Sequence, residues 1–159
     1  MKDLKHLLLG KDWLSRIVRI GLILILIIIP LRFNYMLTWS RGDSMIPSYK
    51  DGQIMVMEKQ SSDWQPERYD VIIAKYGDQL IVKRIVGLPG EIIEVIDGLI
   101  YVQGQLRNIF KGKIMKATMP HTQLPETIPL DYFWVIGDNR ELSVFGLIPR
   151  KDIIGKVIN

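Results

Sequence analysis

Residues 79–102 read QLIVKRIVGLPGEIIEVIDGLIYV, in which short apolar runs alternate with turn residues. Runs of four to eight residues rich in Ile and Val and bounded by Gly, Pro and Asp are typical of β-strands. Asp97-Gly98 is a strong turn signal, so it predicts a hairpin that joins strands 92–95 and 99–102. This stretch therefore predicts a β-rich domain.

The same pattern continues over most of the chain after Trp39. Apolar runs rich in Ile, Val and Tyr predict further strands at 53–58, 70–75, 79–86 and 132–136. Residues 107–129 have scattered Lys, Thr, Pro and Gly with weak periodicity, which predicts an inserted loop or small subdomain. The predicted fold class is mostly β, with one β-rich domain over residues 40–159.

A different pattern precedes the β-rich part. Residues 20–31 carry no charge and are almost wholly Ile and Leu. Because a bilayer span needs about 20 mostly apolar residues, we predict one transmembrane helix over 17–39, with Arg19 and Arg32 near the two interfaces. A buried core helix is disfavoured because the run is apolar on every face. A cleavable secretory signal is disfavoured because bulky residues, not small ones, follow the run.

The distribution of charge orients this predicted helix. The net charge of +4 comes from 21 Lys and Arg against 17 Asp and Glu. Residues 1–40 carry six basic and two acidic residues, whereas residues 41–159 carry fifteen of each. The positive-inside rule then predicts a cytoplasmic segment 1–16 and an extracytoplasmic domain 40–159. No nucleic-acid partner is expected, because the basic excess lies outside the predicted folded domain.

The residue types present restrict the possible chemistry. There is no cysteine, and His6 and His121 are the only histidines, so we predict no disulfide, no metal site and no cofactor. Ser44 lies in a small polar turn, and Lys83 lies among strand-forming apolar residues. Taken singly, each reads as an ordinary turn or surface residue. If Lys83 faces the core instead, desolvation lowers its pKa and allows it to act as a base without histidine.

Four segments, taken together and in order, resemble the type I signal peptidase family. The motifs of that family read Ser-Met-x-Pro, Arg-Gly-Asp-Val-Val, Lys-Arg-Val-x-Gly-x-Pro-Gly-Asp and Gly-Asp-Asn-Arg-x-x-Ser. The matching segments begin at Ser44, Arg68, Lys83 and Gly137. The resemblance extends over about residues 17–157. It implies a signal-peptidase-like β-domain on one N-terminal transmembrane helix, as in the single-anchor forms of Gram-positive bacteria.

The resemblance also implies roles for individual residues. Ser44 corresponds to the acylated nucleophile, Lys83 to the general base, and Ser143 to a hydroxyl that orients the lysine. The backbone N–H of Ser44 is expected in the oxyanion hole, and Gly42 lacks the hydroxyl that gives some members a second donor. The expected substrate-binding residues are Gly42, Met45, Tyr49, Ile81 and Val82. The last four are expected to line shallow apolar pockets that favour an Ala-x-Ala sequence before the cut.

The last motif departs from the family pattern. Relatives continue Ser-x-Asp-Ser-Arg, whereas Ser143 here runs directly into Val144-Phe145-Gly146. The missing Asp and Arg form a salt bridge that supports the active site in relatives. We therefore expect Asp138, Asn139 and Arg140 to support the site, with Arg140 partly replacing the missing pair.

The implied function is that of signal peptidase I, a monomeric, single-pass serine endopeptidase of a bacterial cell membrane. Its partners would be the lipid bilayer and the signal peptides that it removes from secreted preproteins. One alternative is a catalytically impaired paralogue that acts as a chaperone or assembly factor for secreted or pilus subunits. Another is a self-cleaving Ser/Lys repressor, which would need a helix-turn-helix where this chain has an apolar run. The joint presence of Ser44, Lys83 and Ser143 favours the peptidase.

Overall fold

The computed structural model of the chain describes residues 13–14, 16–26, 28, 34–61, 63–107 and 126–158. Most of the predicted cytoplasmic segment 1–16 and of the predicted insertion 107–129 lies outside the described residues. The chain divides into two units, Met1–Met36 and Leu37–Asn159.

The first unit is largely helical where it is described. Residues 16–26 are helical, and their apolar side chains, such as Ile17 and Leu26, are exposed. In this described part, no helix is both long enough and apolar enough to span a bilayer. The predicted helix 17–39 also ends differently, because Tyr35–Trp39 is strand β1. The Tyr, Thr and Trp side chains of β1 favour extended backbone, which explains why the helix does not continue.

Strands form most of the second unit. The described residues contain β1 (Tyr35–Trp39), β2 (Ile54–Lys59), β3 (Val71–Tyr76), β4 (Gln79–Gly87), β5 (Ile92–Ile96), β6 (Leu99–Val102), β7 (Gln105–Leu106), β8 (Glu126–Thr127), β9 (Tyr132–Ile136), β10 (Phe145–Pro149) and β11 (Ile153–Val157). A short 3-10 helix, Arg150–Asp152, precedes β11. The mostly β fold class is confirmed, and each predicted strand is present to within one residue at its ends.

These strands form two sheets. The larger has the order β1-β2-β11-β3-β4-β9-β10, and the smaller has the order β7-β6-β5-β8. Strand β4 pairs antiparallel with β3 over residues 79–84, and with β9 only from Arg84 onward. The predicted hairpin between β5 and β6 is present, and Asp97 and Gly98 have φ of 52° and 77°. Both values are left-handed, as a type I′ turn requires.

The residue patterns do not predict five of the described strands, namely β1, β7, β8, β10 and β11. Strand β8 lies in the predicted insertion and pairs with β5, but two residues are too few to show a strand pattern. Strand β10 pairs with β9, from Phe145 opposite Ile136 to Pro149 opposite Tyr132. Gly146 and Pro149 weaken the strand signal of β10, although it is the last strand in the order of the larger sheet, where proline is tolerated.

A buried apolar cluster packs beneath the segment that carries Ser44. It consists of Met45, Tyr49, Met55, Met57, Val71, Ile73 and Val157. Full burial of one such side chain stabilises a fold by about 1.5–3 kcal/mol. Because Met45 packs with Ile73 of β3, and Val82 of β4 packs against the same cluster, Ser44 is held beside the middle of β4.

Candidate active site

Ser44 and Lys83 lie in contact although 39 residues separate them in the chain. Lys83 Nζ is 3.1 Å from Ser44 Oγ, which is hydrogen-bond distance. Lys83 projects from the middle of β4, a position that its pairing with Ile72 of β3 holds in register. The structure therefore brings together a hydroxyl and an amine in the geometry that proton transfer between them requires.

The surroundings of Lys83 favour its neutral form. The residue is only 9% exposed, and burial lowers the pKa of its amine below the ordinary value. The Asp138 carboxylate raises that pKa by a smaller amount. In the described part of the chain Lys83 forms no salt bridge, so no directly bound carboxylate stabilises its charge. An amine in this setting is a stronger candidate base near neutral pH than an exposed lysine.

Both residues lie on a cleft of about 880 Å³. Its walls come from β1 and the turn that follows it on one side and from β4 on the other. The lining residues are Thr38, Trp39, Ser40, Arg41, Ser44, Met45, Asp51, Gly52, Ile73, Asp78, Gln79, Leu80, Ile81, Val82 and Lys83. Of the predicted substrate-binding residues, Met45, Ile81 and Val82 line this cleft.

Tyr49 and Gly42 are placed differently from the prediction. Tyr49 is buried in the cluster beneath Ser44 and borders a separate pocket with Ser48 and Arg84. Its N–H donates to Met45 O at 2.9 Å across the turn over residues 45–49, and its side chain does not line the cleft. Gly42, at φ 76°, donates its N–H to Asp51 Oδ1 at 2.8 Å and does not line the cleft. Gly42 thus shapes the turn that precedes Ser44.

Asp138 is fully buried and pairs with Arg84, the residue after Lys83. Arg84 Nε donates to Asp138 Oδ1 at 2.8 Å, and Nη2 donates to Oδ2 at 2.6 Å. The same guanidinium donates to Tyr69 O at 2.8 Å and to Ser48 Oγ at 3.2 Å. This bidentate pair joins β4 to the turn after β9. The supporting role of Asp138 stays a prediction, and sequence reasoning missed its partner Arg84.

Arg140 does not replace the missing salt bridge. It is 2% exposed, and none of its Nε, Nη1 and Nη2 atoms has a hydrogen-bond partner among the described residues. Burial lowers the pKa of Arg140 to about 10, while the nearby Asp138 carboxylate raises it and Arg84 lowers it. Arg140 forms no salt bridge among the described residues, and both oxygens of the Asp138 carboxylate accept hydrogen bonds from Arg84 instead.

The turn over residues 137–143 contains the other two predicted residues. Ser143 is fully buried; its Oγ accepts from Gly137 N at 2.7 Å and donates to Val144 O at 3.0 Å. In the described part of the chain it makes no hydrogen bond to Lys83, which differs from the expected role. The single hydroxyl proton is already donated to Val144 O, so Ser143 holds the turn. Asn139 donates its backbone N–H to Ser44 O at 3.0 Å and its Nδ2 to Asp43 O at 3.1 Å.

Comparison with known proteins identifies the family of the chain that carries this site. The model of the family described as signal peptidase, peptidase S26, matches residues 11–159. The chain belongs to the signal peptidase family. The predicted family and enzyme class, a serine endopeptidase of the signal peptidase I type, are thereby confirmed. Neither a metal-binding group of three His or acidic residues nor a cysteine occurs in the described part of the chain.

Several relatives are named signal peptidase I. The chain is 29% identical to one from Leptolyngbya laminosa, over 74% of this chain and 64% of the relative. It is 29% identical to signal peptidase I V of Bacillus subtilis, over 73% and 79% of the two chains. It is 28% identical to signal peptidase IB of Staphylococcus aureus, over 92% and 88%. A crystal structure of a signal peptidase I from Enterococcus faecalis matches with 25% identity and a TM-score of 0.44, over 62% of this chain and all of that one.

Proposed function

We propose that this chain is a membrane-bound endopeptidase that removes N-terminal signal peptides from secreted preproteins, with Ser44 as nucleophile and Lys83 as general base. The observation that carries the proposal is the 3.1 Å separation of Lys83 Nζ and Ser44 Oγ beside the cleft. The lowered pKa of the buried Lys83 supports it, because only the neutral amine can accept the hydroxyl proton.

The proposed reaction has two steps. In the first, neutral Lys83 takes the Ser44 hydroxyl proton as Oγ attacks the carbonyl carbon of the scissile bond, and Lys83 then gives that proton to the leaving amine. In the second, Lys83 takes a proton from water, the resulting hydroxide attacks the acyl ester, and the proton returns to Ser44 Oγ. Each step thus returns Lys83 to its neutral form, and no metal or nucleotide takes part.

The substrate is proposed to bind as an extended strand. Residues 79–83 of β4 pair with β3 on one edge, and pairing with β9 starts only at Arg84. On the other edge, residues 79–83 have no strand partner in the described part of the chain, and they line the cleft. A peptide added there would find its main-chain hydrogen bonds on β4, while Met45, Ile81 and Val82 would meet its side chains. Small residues at the first and third positions before the cut fit such shallow apolar walls.

Membrane anchoring forms part of the proposal. The helical residues 20–26 carry no charge and their Ile and Leu side chains are exposed, while basic residues such as Arg16 and Arg19 precede them. We propose that segment 17–34, shorter than the predicted 17–39 because Tyr35–Trp39 is a strand, anchors a monomer with residues 1–16 in the cytoplasm and residues 40–159 outside. Sedimentation with membranes after alkaline carbonate extraction, together with protease accessibility of each end, tests this topology.

The decisive experiment is cleavage of a preprotein that has an Ala-x-Ala site, using the full chain in detergent. The unchanged protein should cleave it after the second Ala, whereas Ser44→Ala and Lys83→Ala should lose activity and keep their melting temperature. Ser61→Ala, on an exposed loop residue, is the matched control. A folded but inactive unchanged protein would instead favour a non-catalytic role in the assembly of secreted subunits.

A further inference from the structure

The turn over residues 137–143 packs directly on the backbone that carries the nucleophile. Asn139 N donates to Ser44 O at 3.0 Å, and Asn139 Nδ2 donates to Asp43 O at 3.1 Å. A Cβ atom added to Gly137 would lie within 3.0 Å of Ser44 O and of Ser143 Oγ, so the two segments are as close as glycine permits. The side chain of Asn139 thus reaches the carbonyl on the N-terminal side of the proposed nucleophile.

The orientation of the Asn139 amide follows from its neighbours. Asn139 Oδ1 accepts from Glu141 N at 3.3 Å, while Nδ2 faces Asp43 O. Exchange of the two amide atoms would set an oxygen against the Asp43 carbonyl and an NH2 group against the Glu141 N–H, both of which are repulsive. The side chain therefore acts as a donor to Asp43 O.

This hydrogen bond determines where the N–H of Ser44 points. The peptide group between Asp43 and Ser44 is planar and trans, so its C=O and N–H point in opposite directions. Asp43 O also accepts from Ile46 N, but at 3.3 Å, which is a longer hydrogen bond. Among the described residues Ser44 N donates to no acceptor, so this N–H is available on the cleft side for a ligand.

We propose that Asn139 is a positioning residue that, by hydrogen bonding to Asp43 O, orients and polarises the Ser44 N–H for the oxyanion of the tetrahedral intermediate. The proposal rests on the proposed endopeptidase function. A donor at the carbonyl end of a peptide group makes the N–H at the other end a stronger donor, since hydrogen bonds in a chain strengthen one another. Gly42 offers no hydroxyl to the oxyanion, so the backbone N–H carries a larger share of this stabilisation.

The test compares Asn139→Ala and Asn139→Leu with the unchanged full chain and with Glu141→Ala, an exposed change in the same turn. Both Asn139 variants keep the backbone N–H that bonds to Ser44 O, so they remove only the two side-chain bonds, the one to Asp43 O and the longer one from Glu141 N. We expect kcat on an Ala-x-Ala peptide to fall about 10–100-fold with KM changed less than about twofold, because loss of a direct oxyanion donor costs about 100–1,000-fold and this effect is indirect.

A second readout separates positioning from general support of the fold. A peptide boronate that ends after Ala-x-Ala forms a tetrahedral adduct with a serine, so its inhibition constant should rise by the same factor as kcat falls. The affinity of the cleaved peptide, which needs no oxyanion donor, should stay unchanged. If Asn139→Ala has the same kcat and the same boronate affinity as the unchanged protein, the inference on Asn139 is wrong, while the proposed function stands. The same holds if Asn139→Ala loses affinity for the boronate and for the cleaved peptide alike and has a lower melting temperature. An inactive unchanged protein would overturn the proposed function as well.

Discussion

Lys83 and Arg84 are consecutive residues of β4, yet their cationic groups lie in opposite surroundings. Lys83 is buried beside Ser44 without a salt bridge in the described part of the chain, and burial lowers its pKa. Arg84 donates two hydrogen bonds to the fully buried Asp138 and two more to Tyr69 and Ser48. Because successive side chains of a strand point to opposite faces, one strand can place a reactive amine and a structural cation side by side. The same strand thus holds a buried amine beside Ser44 and an ion-paired guanidinium beside Asp138.

The largest expected effect is the loss of activity in Lys83→Met. Methionine has a similar length but no proton-accepting nitrogen, so kcat/KM should fall by about 1,000-fold or more. The free energy of unfolding should not decrease, because no ion pair is broken. Peptide cleavage and denaturant unfolding of the same preparation test both parts. Residual activity above one tenth, or a clear loss of stability, would contradict the contrast with Arg84.

The next largest effect is expected at Asp138. Asp138→Asn leaves the partly buried guanidinium of Arg84 without a counter-charge, and the free energy of unfolding should fall by about 3 kcal/mol. Urea denaturation measures the change. The double variant Arg84→Met/Asp138→Leu removes both charges and should recover most of the stability. If Asp138→Asn is as stable as the unchanged protein, the Arg84–Asp138 pair does not stabilise the turn over residues 137–143.

A smaller effect of opposite sign is expected at Arg140. Its guanidinium is buried without a hydrogen-bond partner among the described residues, a state that costs about 1–3 kcal/mol. Arg140→Met keeps the side-chain length and removes the charge, so the free energy of unfolding should rise by about 1 kcal/mol. Arg140→Lys, which keeps a buried cation, is the control and should bring no gain. A loss of stability in Arg140→Met would show that the guanidinium has an acceptor.

The smallest effect is a shift in pH dependence. Activity should rise with pH as Lys83 loses its proton, and the midpoint should lie below the ordinary lysine pKa because burial lowers it. Since the Asp138 carboxylate raises the pKa of Lys83, Asp138→Asn should move the midpoint to lower pH, measured at a temperature where the variant is folded. An upward shift, or none, would show that Asp138 does not act on Lys83.

The same lowered pKa links folding to pH. Between the folded and unfolded pKa values of Lys83, the unfolded chain binds more protons than the folded chain, so the free energy of unfolding should rise with pH across that window. Lys83→Met should remove this rise. Urea midpoints of the two proteins at several alkaline pH values give the comparison, and identical slopes would contradict it.

The positions of most strands and the residues of the four motifs could be predicted from the sequence, because both depend on patterns of neighbouring residues. Ile- and Val-rich runs bounded by Gly, Pro and Asp indicate β2 to β6 and β9, and the Asp97-Gly98 turn pairs β5 with β6. Strand β8 is too short for such a pattern, and Tyr35–Trp39 belongs to the predicted helix although its Tyr, Thr and Trp side chains favour extended backbone.

The sequence by itself, through its four motifs, indicated which residues could do chemistry: the hydroxyls of Ser44 and Ser143, the amine of Lys83 and the polar turn at 137–143. Only the tertiary structure decided their partners. Asp138 pairs with Arg84, 54 residues away, the hydroxyl of Ser143 bonds to Val144 O, and Tyr49 lies in the core. A strand pattern predicts which face a side chain occupies, but a hydrogen bond depends on ångström-scale distances between segments that are remote in the chain. Those distances exist only after the sheets and the turn at 137–143 have packed.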